Sequence, residues 1–374
     1  MVGPSLLQLP YFALAYARPE LRQDQNWTYR QAFANSALKA FLRNWAALHI
    51  KWPVSLKPGS ESNQFVRIQP PSPDLYTGVV VDEEVKPETV GATWYPVPYS
   101  SEATLPEGQH VVLHLHGGSY IIGDGRRSSC NFLAQNFLEN TPSTYILCPQ
   151  YRLACYQNGH FPAQLQDTIA SYAYLIHTLH IPASRIVLSG DSSGADLVLA
   201  LLRYIVEFSD QSLLPAPKCC WIWSPWCDVP AAVNAGVWNR SVNYKTDYVP
   251  GSFPARGAKL FLRNVGITKH IEQYVSPILH PFIVPSPLII ITGDREVLFK
   301  DREKLARDFK GLAQNKVPIE LYVAKGVPHD VLMIAWMMDF KKEARECAIK
   351  AGEFVNRLRL MQTIQDLTVN TWSS

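Results

Sequence analysis

The chain has 374 residues, of which 47% are hydrophobic and 18% charged, with a formal net charge of +3. That length buries a sizeable core, and α/β folds of this size often form one domain. A near-neutral balance with no block of like charges excludes an electrostatic nucleic-acid surface. No stretch reaches the roughly 18 uninterrupted apolar residues of a membrane span.

The N-terminal "MVGPSLLQLPYFALAYARPE" has an apolar run, but it lacks a basic flank and is broken by Pro10. It is a poor signal peptide, so a cytoplasmic protein is expected. The seven cysteines contain no C-x-x-C and no metal-like spacing. They read as reduced, buried thiols, and neither metal nor cofactor is expected.

Residues 27 to 49 carry Phe33, Ala37, Phe41, Trp45 and Leu48 at helical spacing, which predicts a helix buried along that stripe. Residues 53 to 109 are rich in Pro, Gly and Ser, with short extended pieces expected at "NQFVRI" and "TGVVVDEE". From residue 110 the pattern becomes strand-helix alternation. The predicted strands are "HVVLHLH", "STYILCPQYRL", "RIVLSG", "KCCWIWSPW", "PLIIITG" and "PIELYVAKG". A helix is expected after Pro162, another after "RIVLSG", and a last one across roughly 337 to 360, followed by a polar tail. Short apolar strands separated by helices imply an α/β protein with a mostly parallel central sheet and helices on both faces. Residues 228 to 275 interrupt the alternation and are expected to fold over the strand ends as a lid.

Within this pattern, "SRIVLSGDSSGADLVLALL" runs from a strand through a tight turn into an apolar helix. The spacing Gly190-x-Ser192-x-Gly194 places Ser192 at the tip of that turn, the setting of a nucleophile elbow. Its neighbour Ser193 would point its side chain elsewhere and its N–H toward the reacting oxygen. A serine hydroxyl needs a base. His270 and His280 precede the strand "PLIIITG", whereas His329 follows the last strand in a Gly- and Pro-rich loop, so only His329 fits the chain order nucleophile, acid, histidine. The acid is expected in "GDREVLFKD", where Asp294, Glu296 and Asp301 are available. Asp301 falls a turn into a helix, and Asp294 and Glu296 are chemically near-equal choices. In "LHLHGGSY", Gly117 and Gly118 let main-chain N–H groups approach a ligand. With Ser193 they form a candidate oxyanion hole. His116 is expected to orient that loop.

These pieces, namely "HGGSY", "CPQYRLA", "FPAQLQDTIASYAYL", "SGDSSGADLVLALLRY", "SPWCDV", "TGDREVL" and "PHD", occur in this order across about residues 27 to 355. The chain thus resembles the hormone-sensitive-lipase branch of the α/β-hydrolases, particularly its fungal esterase-like members. The resemblance implies Ser192 as nucleophile, His329 as base, and Gly117, Gly118 and Ser193 as oxyanion donors. It favours Glu296, in "EVL", over Asp294 as the acid. It gives Asp191 a supporting role in the loop. It also implies an N-terminal helical cap segment over residues 1–60 and a catalytic domain over 61–374, with the lid insertion at about 228–275. Three positions depart from the family pattern: Ser119 stands where a third glycine is usual, and Ser193 and Ala195 stand where Ala and Gly are usual. The implied activity is a serine hydrolase that cleaves a small-molecule carboxylic ester through an acyl-enzyme. The ester could be that of a bulky apolar or specialised metabolite. Two rivals share the frame: a non-hydrolytic elimination, acyl transfer or cyclisation, and a ligand receptor.

Overall fold

A computed structural model describes residues 4–100, 105–208, 213–263 and 265–372. Eight strands form one sheet: β1 (Phe65–Ile68), β2 (Val90–Tyr95), β3 (His110–Leu115), β4 (Ser143–Gln150), β5 (Ile186–Asp191), β6 (Cys219–Trp223), β7 (Leu288–Gly293) and β8 (Ile319–Ala324). Their spatial order is β1-β2-β4-β3-β5-β6-β7-β8. β2 pairs antiparallel with β1 and β4, and every other neighbouring pair is parallel. Every residue of β3, β5, β6 and β7 is buried. Helices cover both faces, so these strands read as continuous apolar runs rather than alternating ones.

The helices Arg127–Asn140, Val331–Met338 and Lys341–Trp372 pack together, and so do Ala163–Ala173 and Ser193–Phe208. The ring of Phe137 meets Trp221 at 5.2 Å and Trp223 at 5.5 Å. Two side chains of alternate position on β6 thus share one face of the sheet.

Four expectations need correction. "TGVVVDEE" is not extended: it holds a short 3-10 turn, Gly78–Val80, whereas the unforeseen β2 forms from "VGATWY". The terminal helix is two, Val331–Met338 and Lys341–Trp372, broken at Asp339, whose φ of 63° is left-handed. The second of these runs on to Trp372, through the stretch expected to be a polar tail. The helix Tyr29–Leu48 exists, but it buries Gln31, Ala32, Asn35, Ser36 and Asn44, while Phe41 and Leu48 of the predicted stripe are exposed. Its start is set by a reciprocal cap: Gln31 N–H donates to Thr28 Oγ1 at 3.1 Å and Thr28 N–H to Gln31 Oε1 at 2.8 Å. Such a box is worth about 1 kcal/mol.

Residues 228 to 275 hold four short helices, Val229–Ala232, Gly236–Asn239, Ser252–Phe261 and Lys269–Val275. The third packs on the N-terminal helix Tyr29–Leu48, where Arg256 donates to Trp45 O at 3.1 Å and Asn35 to Lys245 O at 3.2 Å. No helix among the described residues is long and apolar enough to cross a membrane.

Candidate active site

The carboxyl ends of β3, β5, β6, β7 and β8 lie side by side, which is where ligands bind in open α/β sheets. Each end contributes one part of the site. β5 runs into the helix Ser193–Phe208 through Ser192, whose φ of 51° is left-handed. A non-glycine residue held there stores strain and persists because its surroundings over-determine it. Ser192 N–H donates to Trp223 O at 2.9 Å, and Ser192 O accepts from Trp226 N–H at 3.0 Å. The turn is also tight against β3. A Cβ on Gly194 would lie 1.9 Å from Leu115 O, so only glycine fits.

His329 follows β8. Its Nε2 lies 2.9 Å from Ser192 Oγ, and its Nδ1 lies 3.0 Å from Glu296 Oε2. Residues separated by 137 positions in the chain are thus in hydrogen-bond contact. Glu296 is wholly buried. Its Oε1 accepts from Ser224 Oγ at 2.8 Å, from Thr292 Oγ1 at 3.0 Å and from Gly293 N–H, and its Oε2 accepts from Arg302. Burial alone would push this carboxyl up, but the Arg302 guanidinium and the bond to His329 outweigh it and hold Glu296 below the ordinary glutamate value.

Asp294, the other candidate acid, is elsewhere. Its Oδ1 accepts from Gly326 N–H at 2.7 Å, and its carboxylate pairs with Arg295 at 3.3 Å and Lys325 at 3.5 Å. It ties the loop after β7 to the loop after β8. Asp301 sits in the helix Phe299–Gly311.

The loop after β3 departs from expectation at one residue. Gly117 N–H donates to Asp191 Oδ2 at 2.8 Å, so it anchors the loop to the elbow instead of facing Ser192. An acidic side chain next to the serine captures the nearest amide. Gly118, at φ 110°, and Ser193, the first residue of its helix, carry the remaining two candidate N–H groups. His116 orients the loop as anticipated: its Nδ1–H donates to Gly117 O at 2.7 Å and its ring stacks on Tyr151 with centroids 4.1 Å apart.

Behind the elbow runs a buried polar chain that the sequence did not announce. Trp223 Nε1–H donates to Ser189 Oγ at 3.0 Å, Ser189 faces His114 Nδ1 at 2.9 Å, and His114 Nε2–H meets Asp191 Oδ1 at 2.9 Å. Burial pushes His114 down to about 3 and Asp191 up to about 6, so the imidazole is neutral and donates a plain hydrogen bond. Asp191 is in turn hydrogen-bonded to Asp330, which burial and the Asp191 charge push well above the carboxylate range. Two carboxyls in contact share a proton more readily than they both ionise. The chain links the residue before Ser192 to the residue after His329.

The family model described as alpha/beta hydrolase fold matches residues 112–333. The chain belongs to that family. This α/β-hydrolase is 28% identical over 205 residues to an acetyl-hydrolase of Streptomyces hygroscopicus, covering 52% of this chain and 60% of that protein. It is 24% identical over 339 residues to an esterase of Acinetobacter venetianus, covering 89% and 98%. An esterase of the bacterial hormone-sensitive lipase family has a similar structure, with TM-score 0.59 and 20% identity over 95% of this chain and 98% of that one. That solved structure shares the fold. The α/β-hydrolase site itself rests on its own geometry.

Proposed function

We propose that this protein is a serine carboxylic-ester hydrolase acting on a small ester. The observation that carries the reading is the unbroken contact from Ser192 Oγ to His329 Nε2 (2.9 Å) and from His329 Nδ1 to Glu296 Oε2 (3.0 Å). Ser192 Oγ adds to the ester carbonyl carbon while its proton passes to His329 Nε2. Glu296 keeps the ring in the tautomer that accepts at Nε2 and stabilises the imidazolium. The carbonyl oxygen, now an oxyanion, accepts from Gly118 and Ser193 N–H, each donor worth about 3 kcal/mol in such sites. Collapse breaks the bond to the alcohol oxygen, which leaves with the His329 proton. Water then repeats the sequence on the acyl-serine and frees the acid.

The acyl group is short in this reading. Ser192 is only 8% exposed, and relatives of the chain carry the names acetyl-hydrolase and arylacetamide deacetylase. The N-terminal helix and the 228–275 insertion serve as the cap over the ester. Steady-state hydrolysis of p-nitrophenyl acetate tests the proposal. S192A and H329A are expected to lose on the order of 10,000-fold or more in kcat. An S192A protein as fast as the parent would refute it.

A further inference from the structure

Arg302 is the least expected member of the site. It lies in "FKDREKLARDFKG", among solvated charges such as Lys300 and Glu303, yet it has no access to solvent. Its Nε donates to Pro225 O at 3.0 Å and one terminal nitrogen to Ser224 O at 3.0 Å, while the other donates to Glu296 Oε2. The nitrogen that reaches Ser224 also stands 3.2 Å from His329 Nδ1. When Nδ1 carries the hydrogen donated to Glu296, this last contact is not a hydrogen bond, because both groups are then donors. A full positive charge is held against the ring that must take up a proton.

The other groups facing His329 and Glu296 are mostly acids. Asp247, from the insertion, faces both. Asp330, the next residue, faces both and is bonded to Asp191 of the elbow. The Tyr248 ring lies 6.0 Å from the His329 ring, and the Cys347 thiol of the C-terminal helix faces Glu296. His114 is engaged with Ser189 and Asp191 and also faces Asp330, and Asp301 faces Arg302 from its own helix. Asp294 is engaged with Arg295 and Lys325. Buried carboxylates strengthen a neighbouring imidazole as a proton acceptor, and an imidazole already protonated is no base.

We propose that Arg302 is a positioning residue that fixes the Glu296 carboxylate and, through its charge, offsets Glu296 and Asp247, opposing premature protonation of His329. The inference rests on the ester-hydrolase reading.

The test is the pH dependence of kcat/KM for p-nitrophenyl acetate in the parent, R302K, R302Q and D247N. Removing the cation raises the proton affinity of the His329–Glu296 pair, so the acid limb of R302Q moves up by about one pH unit. R302K, which keeps the charge, stays within a few tenths of the parent even where its rate is lower. D247N acts on the same balance from the other side and moves the limb down; it decides the matter should R302Q fail to fold. Lower rates with all limbs superimposed would overturn the proposal and leave Arg302 a scaffold residue. A parent that does not hydrolyse the ester overturns the functional reading instead. NMR titration of His329 in parent, R302Q and D247N then decides the role of Arg302 without substrate, on the same shifts.

Discussion

Asp294 and Glu296 stand two residues apart in one loop and do different work. Glu296 is buried at 0% exposure against His329 and Arg302, whereas Asp294 bonds to a main-chain amide and two surface cations. E296Q is expected to lower kcat by about 100- to 10,000-fold, since it removes the charge that stabilises the imidazolium. D294N is expected to leave kcat within a few-fold and lower the thermal midpoint. Kinetics of the two variants with p-nitrophenyl acetate check this, and the reverse ranking would reassign the acid. Asp196 gives a second prediction at this scale. It accepts from Tyr120 OH at 2.6 Å, and burial pushes it up to about 8 despite that bond. Between roughly pH 4, the ordinary carboxylate value, and pH 8 the folded state keeps a proton that the unfolded state releases. The parent therefore loses stability as pH rises through that window and levels off above it. D196N does not titrate, so its stability relative to the parent should improve from pH 5 to pH 9 in denaturant melts. Parallel curves would contradict the assignment. Ser192 and His329 were legible because each follows a recognisable strand. The residues alone left Asp294 and Glu296 open, and only the family resemblance favoured Glu296. Arg302 was invisible, because its neighbours spell an ordinary charged surface helix.

At the scale of elements, residues 241–247 bond directly to the loop after β7. Asn243 Nδ2 donates to Asp294 O at 3.0 Å and Glu296 O at 2.9 Å, Ser241 Oγ to Val297 O at 2.9 Å, and Thr246 Oγ1 to Arg295 O at 3.0 Å. Asp247 Oδ2 accepts from Val297 N–H at 2.6 Å. The loop that carries Glu296 is thus held along its length by the 241–247 segment. N243A leaves two carbonyls without their donor, and a loss of about 1–3 kcal/mol is expected, with kcat falling because Glu296 is less well placed. Unchanged melting and kinetics would count against this segment as a positioning element. The helix Ser252–Phe261 touches the opposite side of the site: a Cβ on Gly257 would lie 2.2 Å from Ser119 O. G257A should therefore displace the loop of Gly117 and Gly118 and reduce kcat more than KM. The N-terminal helix also departs from its apolar periodicity. The helix Tyr29–Leu48 buries Leu42 together with small and polar residues and leaves Phe41 outside, because it packs on other helices, Ser252–Phe261 and Val331–Met338 among them, rather than on a sheet face. Strand β2 escaped notice because a Pro- and Gly-rich stretch surrounds it.

The molecule as a whole is a mostly parallel sheet whose carboxyl edge gathers five loops into one site, and that arrangement was legible from the alternating strands and helices. Asp191 had a supporting role from the family resemblance; what was not legible is the rest of the polar interior behind the edge, Trp223, Ser189, His114 and Asp330. Its members sit inside strand or loop patterns that look purely structural. All seven cysteines are buried and unpaired, and burial pushes several of them upward, Cys219 to about 12. A thiol reagent at pH 8 should find none within minutes in the native protein and seven after denaturation without reductant. Fewer than seven would mean that some are paired in solution. The most direct measurement of the central claim is mass spectrometry of protein quenched during turnover of p-nitrophenyl acetate. An acetyl group on the peptide containing Ser192, absent in S192A, is the predicted result. Rapid ester cleavage with no adduct in the parent and undiminished turnover in S192A would contradict the account.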